Sequence, residues 1–195
     1  MTTNPSRRRP LQVLLGLSIL VASLGALLAV GTSADTAPAA ANPPAPVRQI
    51  IRPWTAVGST AVVDETSLGS FAFTGSFLTF LAGSPATSIR GRFNVTNTYD
   101  NNANPNVPGW TTLELGSFAP ATTAVTAKLV RVDNCTGVIV TLCQTSNSAL
   151  GNVCTTCSFA PTAVDFTSNL YYVEVDVTRP AGSNALPRLN NVRIF

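Results

Sequence analysis

The segment from Asn169 to Arg179 alternates apolar and polar side chains, and this pattern constrains the fold more than any other feature of the chain. One set is Tyr171, Val173, Val175 and Val177, and the other is Tyr172, Glu174, Asp176 and Thr178. Because successive side chains of a strand leave opposite faces of the pleat, the segment is predicted to be a half-buried β-strand.

A second alternation surrounds Gly91. It predicts an inner row and an outer row, which are respectively Ile89, Phe93 and Val95, and Arg90, Arg92, Asn94 and Thr96. Gly91 interrupts the apolar row, and a glycine inside a strand predicts a bulge or a close contact.

The remaining domain contains short β-branched and aromatic runs separated by turn residues, and no sustained apolar stripe of helical period. Further strands are predicted at 59–65, 69–74, 76–82, 110–116, 124–133, 138–145, 153–159 and 188–195. Thr74-Gly75 and Thr136-Gly137 are predicted hairpin turns. The pattern favours an all-β fold, a single antiparallel β-sandwich with jelly-roll topology.

The N-terminus has the pattern of an export signal. Arg7, Arg8 and Arg9 precede an uncharged stretch from Leu11 to Val30, and small residues follow it. Residues 1–34 are therefore predicted to be a signal peptide or a retained signal anchor, because the apolar stretch is also long enough to cross a bilayer. A secreted or cell-surface location follows, with membrane contact only through this segment.

Residues 35–54 are predicted to be a linker, and residues 55–195 the folded domain. The tract from Ala34 to Pro46, ADTAPAAANPPAP, favours extended conformations and cannot bury a core. It would act as a spacer.

The charge of the exported part excludes a typical nucleic-acid binder. Three of the 12 basic residues precede Asp35, so the remaining basic residues equal the 9 acidic ones in number. Recognition of phosphate requires a basic stripe, and the densest cluster here is only Arg90 with Arg92. We expect no nucleic-acid partner.

Four cysteines lie within one short stretch, and an even count in an exported chain favours disulfides over a metal site. An extended strand between Cys135 and Cys143 would hold them too far apart to bridge. The preferred pairing is Cys143 with Cys154 and Cys135 with Cys157. The rival pairing joins Cys154 to Cys157 and Cys135 to Cys143.

Catalysis is limited by the residues that the chain lacks. It contains no histidine, which excludes triads built on imidazole, and its single lysine is Lys128. What remains is carboxylate chemistry, for which Glu174 and Asp176 share one strand face. No catalytic residue is assigned, and the chain is expected not to be an enzyme.

The predicted loop from Thr98 to Gly109 holds the candidate ligand-binding residues. They are Tyr99, Asp100, Asn102, Asn104 and Trp110. The three oxygen-bearing side chains resemble the start of a calcium loop, but Pro105 stands where an EF-hand requires glycine. No metal or cofactor is therefore expected, with calcium at these residues as the one candidate, while the two aromatic rings could stack on sugars.

Several segments together resemble uncharacterised exported bacterial β-sandwich proteins. They are Val125 to Val132, the Thr136-Gly137 turn, Tyr171-Tyr172-Val173-Glu174 and the closing 191–195. The resemblance implies a jelly-roll-like fold and an extracytoplasmic location, and it transfers no catalytic residue.

These observations favour a non-catalytic, cell-surface structural or adhesive module. A carbohydrate-binding module and a glycosidase-like enzyme are the alternatives. The expected partner is a surface glycan or another envelope protein.

Overall fold

The computed structural model describes residues 52–98 and 106–195. The predicted leader and nearly all of the predicted linker lie outside these residues. Within the described residues, no helix has the length and apolar character needed to span a bilayer.

Short strands make up the described domain, as the alternation predicts. Their bounds are β1 Trp54–Val57, β2 Val62–Val63, β3 Phe71–Thr74, β4 Phe77–Phe80, β5 Ser88–Val95, β6 Thr112–Ala119, β7 Ala124–Asp133, β8 Ile139–Asn147, β9 Gly151–Ser158, β10 Asn169–Thr178 and β11 Arg188–Ile194.

The strands form two antiparallel sheets with jelly-roll connectivity. One sheet has the order β3-β4-β11-β6-β9, with β1 also paired to β11, and the other has the order β2-β5-β10-β7-β8. The pairs β7·β8, β6·β9, β5·β10 and β4·β11 are nested along the chain, as in one long hairpin rolled into two layers. The prediction of an all-β fold with two antiparallel sheets is therefore confirmed.

The two alternating segments lie side by side at the centre of the five-stranded sheet. Strand β10 pairs with β5 and β7, and its buried side chains alternate with half-buried ones. Strand β5 buries every second residue from Ile89 to Val95. A Cβ on Gly91 would lie 3.1 Å from the Ala61 Cβ and 3.2 Å from the Leu78 Cδ2, so this glycine marks the close contact that was predicted.

The core fills the space between the two inner faces. Its largest fully buried side chains include Trp110, Phe80, Leu78, Ile89, Leu113, Leu115, Leu129 and Leu189. At one end, the rings of Trp110 and Tyr171 both meet Phe166 edge to face, with centroids 6.2 and 5.1 Å away. The Tyr171 hydroxyl also accepts a 2.7 Å bond from the Asp165 N–H, which ties the 159–168 loop to the core.

The predicted strand 59–65 is mostly irregular. Two short 3-10 turns, Gly58–Thr60 and Glu65–Ser67, flank the two-residue strand β2. The Asp64 side chain accepts the Thr66 N–H, which caps the second turn and ends the strand. Trp54, the last residue of the predicted linker, begins β1 and is buried.

The structure corrects both predicted cysteine pairings, because Cys143 is bonded to Cys157, with their Cα atoms 5.9 Å apart. Residues 148–150 carry the chain from one sheet to the other, so the bridge joins edge strands β8 and β9 of different sheets. A register shift in the β7·β8 pair places Cys143 opposite the buried Leu129. In β9, Cys154 is exposed and Cys157 is half-buried, as expected for residues three apart on opposite faces.

Cys135 and Cys154, which the sequence predicted to be bridged, are free and exposed. Cys135 lies in the β7–β8 turn, where its N–H donates to the Asp133 carboxylate. Cys154 lies opposite Gly116 in the β6·β9 pair. Cys135 lies before the start of β8, whereas Cys154 lies three residues from the bridged Cys157 toward the β8–β9 connection. The two thiols are therefore on opposite sides of the bridge along the extended strands, too far apart to pair within one domain.

A buried arginine holds the loops at one end of the sandwich. The Arg179 guanidinium donates to the carbonyls of Ser84, Ala86 and Ala185, and it lies 3.9 Å from the centroid of the Phe80 ring. Arg179 is only 5% exposed. It therefore joins the β4–β5 loop to the β10–β11 loop through backbone carbonyls.

Candidate functional site

Trp110, the one described member of the predicted ligand-binding set, is a core residue. Its side chain is 0% exposed, and its indole N–H donates a 2.9 Å bond to the Arg52 carbonyl. It therefore offers no ring face to a ligand, which corrects that prediction. Tyr99, Asp100, Asn102 and Asn104 lie outside the described residues, and the calcium prediction with them.

The outer face of the five-stranded sheet carries a network of ion pairs. Arg90 Nε contacts Asp176 at 2.8 Å, and Arg92 Nε contacts Glu174 at 3.1 Å. Lys128 Nζ lies 3.7 Å from Glu174 and 3.6 Å from Asp176. Each carboxylate on this face is therefore held by cations from both neighbouring strands.

This network bears on the glycosidase alternative. Glu174 and Asp176 lie on one regular strand, and their side chains are 12% and 18% exposed. A hydrolase needs one carboxylic acid that is protonated and a second carboxylate across the scissile bond. Here both carboxylates are paired with cations and leave the same face of the sheet. This arrangement suits cross-strand ion pairing, which stabilises the sheet, better than acid catalysis.

An open concave surface lies where the edges of the two sheets meet beside β2. It consists of two cavities of about 360 and 300 Å³ that share Val62 and Arg92. We call it the edge groove; its lining is Trp54, Thr55, Ala56, Thr60, Val62, Val63, Asp64, Glu65, Thr66, Arg92, Phe93 and Asn94. The short length of β2 creates it, since β2 pairs only with Arg92 and Gly91 of β5.

Arg92 is the central polar residue of the edge groove. Besides its bond to Glu174, its Nη1 lies 3.6 Å from Asp64 Oδ2, and its guanidinium carbon lies 5.8 Å from the centroid of the Tyr172 ring. These contacts hold the guanidinium in place while 45% of the side chain stays exposed. The residue is thus positioned in advance, and nearly half of its side chain remains accessible to a ligand.

Asp64 forms the acidic side of the edge groove. Its Oδ1 accepts the Thr66 N–H at 3.1 Å and the Thr66 hydroxyl at 2.9 Å. These two bonds lower the pKa of Asp64, and the charge of Arg92 adds to the effect. The carboxylate is therefore ionised at neutral pH and leaves Oδ2 toward Arg92.

We predict that removing the Thr66 hydroxyl raises the pKa of Asp64 without restoring its ordinary value, because the backbone N–H bond remains in Thr66→Val. The stabilisation from Asp64 is present above its unfolded-state pKa and is lost as the pH falls through its lower folded-state pKa. Carboxyl NMR titration measures this directly. The equivalent Thr136→Val change beside Asp133 is the control and should leave Asp64 unaltered; a Thr66→Val titration identical to wild type would contradict the assignment.

The described residues contain no group of three or more His, Cys, Asp or Glu side chains close enough to hold a metal ion. The edge groove does contain a hydrogen-bond donor, the Arg92 guanidinium, and an acceptor, the Asp64 carboxylate. Its chemistry is that of binding by hydrogen bonds and van der Waals contact.

The sequence predicted that Arg92 and Asn94 face outward but did not indicate the edge groove. The signal that could have found it is the dense turn pattern around 58–67, which interrupts a predicted strand beside β5. A strand that short leaves most of its neighbour's edge uncovered.

Comparison with known proteins gives similarity to solved structures only, since no family model and no curated protein matches the chain. One similar structure is a family 36 carbohydrate-binding module of a multidomain xylanase from the hindgut metagenome of Trinervitermes trinervoides. The identity is 7%, the TM-score is 0.45, and the alignment covers 74% of this chain and 97% of that one.

Two further structures are similar to a lower degree. A family 61 module in complex with β-1,4-galactotriose has 11% identity, a TM-score of 0.39, and coverage of 73% of this chain and 87% of that one. A family 36 module in complex with calcium and xylotriose has 9% identity, a TM-score of 0.37, and coverage of 73% and 99%. At such low identities and TM-scores, the function of this chain has to be argued from its own groove.

Proposed function

We propose that this domain is a non-catalytic carbohydrate-binding module and that the edge groove is its binding site. The observation that carries the proposal is the position of Arg92, which lies in both cavities and is held by Glu174, Asp64 and the Tyr172 ring. A fixed donor at the centre of an open, polar groove suits a ligand that presents many hydroxyls.

The rest of the lining has the chemistry that hydroxyls require. Asn94, Thr55 and Thr60 are exposed and supply neutral donors and acceptors, while Asp64 supplies an acceptor. These residues lie on strands or beside short 3-10 turns, so little conformational entropy is lost on binding. Because Asp64 and Glu65 outnumber Arg92, a neutral sugar fits this lining better than an acidic one.

We predict that the full-length protein binds neutral oligosaccharides on an array of neutral, acidic and amino sugars. Arg92→Met and Asn94→Ala should each weaken binding about tenfold, which corresponds to the loss of one good hydrogen-bond contact. Isothermal titration with the best array ligand measures the change.

The matched control is Arg188→Met, which removes an exposed arginine from the other sheet, paired there with Thr79 and Phe118, and should leave the affinity unchanged. Asn94 makes none of the ion pairs of Arg92, so its variant separates loss of binding from loss of folding. Wild-type affinity in both groove variants, or an array without any bound sugar, would refute the proposal.

The location of this function is part of the proposal. A bridge such as Cys143–Cys157 is typical of proteins outside the reducing cytosol. We propose a secreted or surface-tethered module, with 1–34 as the leader. Calcium at Asp100, Asn102 and Asn104, which lie outside the described residues, is part of the same proposal.

A structural or adhesive role is the second candidate, and one observation favours it. Leu170 and Ile139 are 61% and 64% exposed, and they lie on one face of the same sheet. Exposed apolar side chains that lie together are typical of protein contact surfaces.

A further inference from the structure

A separate cavity lies on the outer face of the six-stranded sheet, over the glycine of β6. It measures about 160 Å³, and its lining includes Gly116, Asn152, Cys154, Asn190 and Asn191. Gly116 pairs with Asn191 on one side and with the exposed Cys154 on the other, so the three form one row across this face. The lining shares no residue with the edge groove.

A β-bulge in β11 places two asparagines at this cavity. The register of the β6·β11 pair shifts between Leu189 and Asn191, which leaves Asn190 as the extra residue. Leu189 and Val192 are both 0% exposed, so the two asparagines between them lie off the core face, and both line the cavity. Bulges redirect side chains in this way and are frequent beside functional sites.

The side-chain amide of Asn191 lies directly over Gly116. A Cβ at position 116 would overlap the Asn191 Oδ1, so a larger residue there would displace this side chain. The Oδ1 atom is buried, and it has no hydrogen-bond partner among the described residues. An unpaired buried acceptor costs about 1–3 kcal/mol, and a donor from a bound molecule would remove that cost.

The lining decides which ligand chemistry fits the cavity. All of it lies within the described residues and none of its side chains is charged, so the burial of an ionic ligand would be unfavourable. Each asparagine amide presents one acceptor and two donors side by side, and neighbouring hydroxyls of a sugar ring offer the complementary groups. The cavity has the volume of about five water molecules, which suits a single ring better than a longer chain.

We propose that this cavity is a second binding site, which takes one neutral sugar unit whose hydroxyl donates to the Asn191 Oδ1. The amides of Asn152 and Asn190 bind further hydroxyls of the same ring. The site shares the ligand class of the proposed function but none of its residues. Two sites on one domain would hold a repeated glycan at two points, which raises the effective affinity.

The free thiol at the cavity provides the test. Cys154 lines the cavity, whereas Cys135, which is also free and exposed, lies between β7 and β8 of the other sheet. Full-length protein is treated with N-ethylmaleimide in the presence of glucose, galactose, mannose or xylose, and peptide mass spectrometry gives the rate at each thiol. We expect at least one of these sugars to slow the reaction at Cys154 about tenfold when it is present at roughly ten times its Kd, with the rate at Cys135 unchanged. Glucuronate, the charged control, should give little protection.

Two asparagine variants test the contacts with the sugar. Asn191→Ala and Asn152→Ala should each raise the sugar concentration needed for protection about tenfold, which corresponds to the loss of one good hydrogen-bond contact. Asn152 is exposed, so its variant should fold as the wild type does. The matched control is Asn184→Ala, at an exposed asparagine of the β10–β11 loop, which should leave the protection unchanged.

Each contrary result overturns the proposal. Equal rates at Cys154 with and without all four sugars would show that no such unit binds there, and equal slowing at Cys135 would show that the effect does not depend on the cavity. Unchanged protection in Asn191→Ala would remove the buried oxygen from the site, and full protection by glucuronate would exclude a preference for neutral ligands. Binding at the edge groove is measured separately with Arg92→Met, so either site can fail while the other stands.

Discussion

Replacing Arg179 by methionine is expected to lower the free energy of unfolding by about 3 kcal/mol, because three half-buried carbonyls would lose their donor. Methionine has a similar length and can pack its thioether against Phe80, but it carries no charge over that ring, so the loss reports the hydrogen bonds together with the cation–π contact. Urea denaturation followed by tryptophan fluorescence measures the change.

The control for Arg179 is Arg193→Met, at an exposed arginine that lies over the Phe195 ring with 4.7 Å between the guanidinium carbon and the ring centroid. A surface change of this kind stays within about 0.5 kcal/mol. If Arg179→Met were as stable as Arg193→Met, the hydrogen bonds from Arg179 to the carbonyls of the β4–β5 and β10–β11 loops would contribute nothing measurable to stability.

Removing the disulfide with the double change Cys143→Ser/Cys157→Ser is expected to cost about 3 kcal/mol. The bridge closes a loop with a sequence separation of 14, and its loss returns conformational freedom to the unfolded chain. It also frees the edge strands β8 and β9 of the two sheets from each other. The same denaturation experiment measures the effect.

The matched control removes the two free thiols instead. Cys135→Ser/Cys154→Ser should leave the stability near wild type, because both side chains are exposed. Peptide mapping adds a direct check. A peptide that joins Cys154 to Cys157, or a control variant as unstable as the bridge variant, would contradict the assigned pairing.

The disulfide illustrates why the sequence did not predict which cysteines are paired. The strands that hold Cys143 and Cys157 were predicted to lie near 138–145 and 153–159, close to where β8 and β9 lie. The sequence does not show that the short connection crosses between sheets, nor that a register shift turns Cys143 inward. Both are consequences of how the sheets pack, so spacing along the chain favoured the wrong partners.

Trp110 shows the same limit for the candidate site. An aromatic beside a polar loop is consistent with either a sugar platform or a core residue, and only the position of Phe166 and the Arg52 carbonyl decides for the core. The edge groove was missed for a related reason. Its residues come from β1, β2 and β5, which belong to two sheets, and β5 is distant in sequence from the other two.

What the sequence determined by itself is which side chains face inward, because the two-residue period of a strand is a local property of the backbone. This period therefore predicted β5, β10 and the all-β class. The lack of histidine in the sequence separately excluded imidazole chemistry. Which strands are neighbours, which cysteines meet and where the surface is concave were decided only by the tertiary structure. Those features depend on the packing of two sheets, and no short segment of the chain contains that information.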